Sequence, residues 1–235
     1  MQILILAKSI RNSNYCIAGR VARKKPDSNI WQIGEWIRPV SEHGEGEVSG
    51  EDCMCEGGNP PFVWDVVEIP IKAHANVKHQ PEDYYLDTSQ KWKKVEYLKN
   101  RDVSKIIQKP LNLWVQPGER LDRVSEEYLN LLNDVCSLYL IKPENLRFVI
   151  SQKADEAEHI HKKRRAIFNY NSLEYNLSLT DPVIIGKYFH DYPNPGEPSK
   201  EIFPKNPEKC FIVVSLAALF KDNRHYKVVA TVIEY

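Results

Sequence analysis

The densest cluster of chemically capable residues is Lys162-Lys163-Arg164-Arg165, which runs directly into Phe168 and Tyr170. Basic side chains hold phosphates, and aromatic faces stack on bases. On a strand, Arg164, Phe168 and Tyr170 share one face, and Arg165 falls on the other. Tyr175 follows a short turn and returns toward the same region. One face of any strand in a folded sheet is also core, so this set reads either as a ligand face or as packing. A second set is Tyr15, Arg20, Trp36 and Arg38. Trp36 and Arg38 alternate onto one strand face, and an arginine there needs solvent, a phosphate or a carboxylate such as Asp65.

Other constellations are thinner. His159 and His161, with Asp155, Glu156 and Glu158 nearby, are metal-capable residue types. On a helix their spacing would point them apart. Cys53 and Cys55 lie in an acidic loop; zinc wants four ligands, and His43, His74 or His79 would have to supply the rest. No metal and no cofactor is expected. His79, Glu82, Asp83 and Asp65 could do acid–base work if they converged. Pro81, Glu82 and Asp83 equally suit the first turn of a helix. The glycines lack phosphate-loop spacing, and no nucleophile elbow or His-Glu-x-x-His occurs.

The chain has 235 residues, 42% hydrophobic, 27% charged and 10% aromatic, with no net charge. That composition is globular, and its neutral total removes a simple electrostatic argument for nucleic acid. Charge is uneven along the chain. Glu35 to Glu56 holds seven acids and one Arg, whereas Lys91 to Lys109 holds seven bases and two acids. Five Cys, no visible signal segment and no membrane-length apolar run lead to an expectation of free thiols in a cytoplasmic protein without a membrane.

The elements that must carry these residues are mostly strands. Met1 to Ala7, Tyr15 to Ala22, Gly34 to Val40 and Phe62 to Ile71 read as strands in the first half. Gly44 to Pro61 reads as a mobile Gly- and Glu-rich loop. Leu146–Ser151, Arg164–Tyr170, Leu173–Leu179, Phe211–Leu219 and Tyr226–Ile233 supply five more strands, the number in an OB barrel. Asn171-Ser172 and Asp222-Asn223 are suited to the hairpin turns. Leu121, Val124, Tyr128, Leu131, Leu132, Val135 and Leu138 recur at helical spacing, predicting an amphipathic helix over Leu121 to Leu140. The expected fold is mainly β; composition allows one larger mixed sheet, and the strand count favours two OB-like barrel lobes, 1–115 and 116–235, with that helix closing or bridging them and a soft seam near Pro110 to Glu119.

Several stretches carry a family likeness: CIAGR at Cys16–Arg20, GEWIRPVS at Gly34–Ser41, DVVEIPI at Asp65–Ile71, HQPEDYYL at His79–Leu86, RRAIFNYNSLEYNLSLTDP at Arg164–Pro182 and YKVVATVIE at Tyr226–Glu234. Together they resemble the dual OB-containing domain family of prokaryotic proteins over nearly the whole chain. The resemblance implies two OB-like barrels in one unit. The Cys53–Cys55 loop and the Pro-rich stretch from Tyr192 to Pro207 look like local additions. The leading functional expectation is non-catalytic binding of single-stranded nucleic acid or a nucleotide-like ligand. Trp36, Phe168, Tyr170 and Tyr175 would stack, and Arg38, Lys162, Lys163 and Arg164 would contact phosphate. The alternatives are a protein-interaction or regulatory module in a defence or toxin-type system, and an enzyme acting on nucleotides or nucleic acid.

Overall fold

A computed structural model describes residues 1–98, 102–154, 160–189 and 199–235. They divide into two units, Met1–Ile106 with Asp134–Leu138, and Ile107–Asn133 with Tyr139–Tyr235. No helix among the described residues is long and apolar enough to cross a membrane.

The first unit carries β1 (Gln2–Arg11), β2 (Asn14–Lys24), β3 (Trp31–Val40), β4 (Asp65–Glu68), β5 (Ile71–His74), β6 (Asp83–Leu86) and β7 (Lys93–Tyr97). Their order in the sheet is β5-β6-β3-β2-β1-β4-β7. All neighbours are antiparallel except β3 and β6. Asn12 and Ser13 turn β1 into β2 with φ of 49° and 64°, the left-handed pair that matches strand twist in a two-residue hairpin. The first strand therefore runs beyond Ala7 to Arg11. Ile3, Leu4, Ile5 and Leu6 are all buried, so β1 is covered on both faces.

The expected mobile loop is instead tied into the core. Val48, Cys53 and Cys55 pack with Ile5, Ile17 and Trp92. Val48 exchanges main-chain hydrogen bonds with Tyr15, and Cys55 bridges to Trp92. Burial raises the pKa of both thiols, as expected for packed cysteines.

The second unit carries β8 (Arg123–Ser125), α1 (Glu126–Leu129), β9 (Leu138–Ile141), β10 (Glu144–Ala154), β11 (Ile160–Tyr170), β12 (Leu173–Leu179), α2 (Pro182–Phe189), β13 (Ser199–Ile202), β14 (Cys210–Leu219) and β15 (Arg224–Glu234). Its sheet order is β13-β10-β11-β12-β15-β14-β9, with β8 also paired to β15. β11 and β12 are antiparallel neighbours, as the alternation predicts, and Asn171 and Ser172 turn them with φ of 47° and 65°. Each sheet has edge strands, so main-chain pairing among the described residues makes two open sheets rather than closed barrels.

The predicted helix from Leu121 to Leu140 does not form. Val124 instead pairs with His225 in β8, and only Glu126–Leu129 is helical, capped by Ser125 Oγ on the Tyr128 amide at 3.1 Å. Asp134 takes φ of 52°, and Leu131 is 76% exposed. Long-range strand pairing outweighed a local apolar period. A helix the periodicity did not indicate, α2, follows β12. Asp181 accepts from the Val183 and Ile184 amides at 2.8 and 3.1 Å, Pro182 opens the helix, and Asp181 also accepts from Val232 N at 2.8 Å.

Candidate functional site

The alternation that groups Phe168 and Tyr170 identifies the inward face of β11. Phe168 pairs across the sheet with Tyr175, and their rings stack at 5.5 Å with both side chains fully buried. The Leu113 amide donates to the Tyr175 hydroxyl at 3.4 Å, and the Tyr170 hydroxyl donates to Pro110 O at 2.8 Å. These rings are core, because a packed sheet face buries the large apolar area that aromatic side chains supply. The expected stacking role of Phe168, Tyr170 and Tyr175 is thereby corrected.

Trp36 and Arg38 belong to the first unit and are buried as well. Arg38 Nε donates to Asp83 Oδ1 at 2.6 Å, and its guanidinium lies 3.9 Å from Glu82 Oε1. Ser137 Oγ donates to that same Glu82 oxygen. Burial pushes Asp83 up to about 6, against the pull of Arg38. Arg38 is therefore one partner of a buried ionic cluster rather than a phosphate ligand, and Trp36 has no open face for a base. Asp65 sits with Lys94 at 2.7 Å, not with Arg38.

What the outer part of β11 does form is a cleft in the second unit. It has a volume of about 640 Å³ and is lined by Arg120, Asp122, Arg123, Ser151, Lys162, Lys163, Arg164, Arg165, Asn176, Ser178 and Leu179. Among the described residues the lining holds six cations and one anion. Ser151 faces Lys163 across β10–β11, and Ser178 faces Arg165 across β11–β12. β8 contributes Arg123 through its pairing with β15.

The cations divide by what they already hold. Asp122 Oδ1 accepts from Arg123 Nε at 2.9 Å, and Asp122 Oδ2 accepts from Arg120 Nη2 at 3.1 Å. Arg165 Nη2 lies 3.6 Å from Asp122 Oδ2. Arg165 also donates to Asn176 Oδ1 at 2.7 Å and to Ser178 Oγ at 2.9 Å. Burial raises the pKa of Asp122, but the Arg123 hydrogen bond and the charges of Arg123, Arg120 and Arg165 hold it below the usual range. Lys162, Lys163 and Arg164, by contrast, pair with no carboxylate among the described residues. Arg164 Nε is buried without a hydrogen-bond partner among the described residues. Among the described residues these are three cations without a carboxylate partner, at a concave surface beside three arginines gathered on one aspartate.

Sequence reasoning found Lys162, Lys163 and Arg164 and missed Arg120, Arg123, Arg165, Asn176 and Ser178. Arg120 and Arg123 lie within the supposed helix, and Arg165 drops out when an aromatic partner is required on its own face. The residues expected near His159 at Asp155, Glu156 and Glu158 fall outside the described residues. Among the described residues, no three His, Cys, Asp or Glu side chains gather where they could hold a metal ion.

A model for the family described as the dual OB-containing domain matches residues 1–232. No curated protein and no solved structure matches the chain.

Proposed function

Since the chain belongs to the dual OB-containing domain family, we propose that its second unit binds single-stranded nucleic acid, or a nucleotide-like ligand, by its phosphates and without chemistry. OB folds bind oligonucleotides on one sheet region, which suggests the class of ligand by analogy. The observation that carries the reading is the cleft itself, where Lys162, Lys163 and Arg164 have no carboxylate partner among the described residues. Unpaired cations in a concavity focus potential and attract a polyanion, even on a chain with no net charge.

A catalytic role finds little support. Glu82 and Asp83 are engaged by Arg38 and Asp65 by Lys94, all in buried or half-buried ion pairs. Among the described residues the cleft lining has one carboxylate, which three arginines hold ionised. Phosphate contact by Arg and Lys explains recognition without reading sequence.

The test is anisotropy of a labelled mixed-sequence single strand between about 50 and 200 mM salt. Neutralising one phosphate per unpaired cation predicts a log–log slope of about −2, hence roughly 20-fold weaker binding over that range. Replacing exposed Lys162 and Lys163 together by Ala should flatten the slope to about −0.7. Salt-independent binding by the parent, or an unchanged slope in the folded double variant, refutes the reading.

A further inference from the structure

We propose that Phe220, at the tip of the β14–β15 hairpin, is the ring on which an unpaired base stacks when a single strand occupies the cleft. This rests on the phosphate-binding reading of that cleft and specifies what it does with the bases. Among the described residues the cleft lining contains no aromatic residue, and Trp36, Phe168, Tyr170 and Tyr175 are buried. A stacking surface must therefore lie at the border of the cleft.

One border leads to aromatic rings. Arg123 lines the cleft, and its guanidinium lies 5.0 Å from the centroid of the Tyr226 ring. Tyr226 meets Phe220 edge to face at 5.7 Å and 87°. Arg123, Tyr226 and Phe220 thus form a row from the cleft to the hairpin tip. Tyr226 is the inner member: Arg123 covers its ring, and its hydroxyl donates to Asp222 Oδ2 at 2.8 Å. Phe220 is the outer member and is 54% exposed. An isolated exposed apolar residue is ordinary. This one ends a row of contacts that begins at an arginine lining the cleft.

The hairpin holds Phe220 in place. Its amide donates to Arg224 O at 2.9 Å, and its carbonyl accepts from Asn223 N at 3.0 Å. Arg224 Nε in turn donates to Glu119 Oε2 at 2.8 Å, which ties the tip to the chain just before Arg120. The hairpin backbone is thus fixed and the ring rests on Tyr226, so little freedom is lost on binding, which favours stacking. A paired base has both faces covered by its own duplex, so the ligand of Phe220 is a single strand.

The experiment compares the parent with Phe220→Ala and Phe220→Trp on two labelled probes of about ten nucleotides. One is a mixed-sequence single strand, and the other is an abasic strand of the same length. Phe220→Ala should weaken the base-bearing strand about 5- to 150-fold at either salt concentration, since stacking is worth roughly 1–3 kcal/mol per base. It should leave the abasic strand and the salt slope unchanged, and Phe220→Trp should restore binding. Parental affinity of Phe220→Ala for the base-bearing strand overturns the assignment, and it leaves the cleft standing if Lys162 and Lys163 still set the slope. Equal weakening on both probes also overturns it, since Phe220 would then shape the cleft rather than stack. No salt-dependent binding by the parent overturns both readings.

Discussion

Lys227 offers the sharpest test of the physical reasoning. It lies on β15 between His225 and Val229 on the inward face and is 1% exposed. Among the described residues its ammonium has no hydrogen-bond partner. Burial lowers its pKa from 10.5 to about 8, opposed by the charges of Asp122 and Glu119. That displacement corresponds to roughly 3 kcal/mol against the charged form in the folded chain. Lys227→Met keeps the aliphatic stem and removes the charge, so it should stabilise the protein by about 1–3 kcal/mol at pH 7. The sign with pH follows from linkage. Below pH 8 both folded and unfolded chains carry the charge, and the cost is fully present. Between about pH 8 and 10.5 the unfolded chain binds more protons, so the parent gains stability as pH rises. The gap between variant and parent should therefore narrow across that window, leaving about 1 kcal/mol for a neutral amine without a partner. Urea unfolding followed by circular dichroism, with both proteins at each pH, measures the gap and cancels other titrations. A less stable Met variant at pH 7, or a gap that does not shrink above pH 8, would show that Lys227 is solvated or paired.

Two further outcomes concern the first unit. Arg38→Met should cost about 3–5 kcal/mol in denaturant unfolding, because it strands Asp83 and Glu82 as buried carboxylates with no cation; a cost below about 1 kcal/mol would mean the cluster is hydrated. Gly19→Ala should cost at least about 2 kcal/mol, because a Cβ there presses into the Leu4 carbonyl, with the carbonyl carbon 2.9 Å away; a stable Ala variant with unchanged amide shifts in β1 would refute that close approach.

The mainly β class and the five late strands were legible because period-2 alternation reports a half-buried sheet directly, and Asn171-Ser172 marks its own turn. The Lys162–Arg164 run was legible as charge. Whether Phe168, Tyr170 and Tyr175 face a ligand or a core was not, since alternation assigns residues to a common face without saying what covers it. Likewise Arg38 shows its need for a partner, but only the parallel pairing of β3 with β6 brings Asp83 to it rather than Asp65. The supposed helix failed for the converse reason. Its apolar period is local, and the pairing of Arg123–Ser125 with Arg224–Tyr226 across some hundred residues is invisible to any window of sequence. That same pairing brings Arg120, Asp122 and Arg123 to the basic strand. The sequence by itself determined the β class, the late hairpins and the basic run. Tertiary pairing decided the cleft, because its opposite walls come from segments that meet only through long-range main-chain hydrogen bonds.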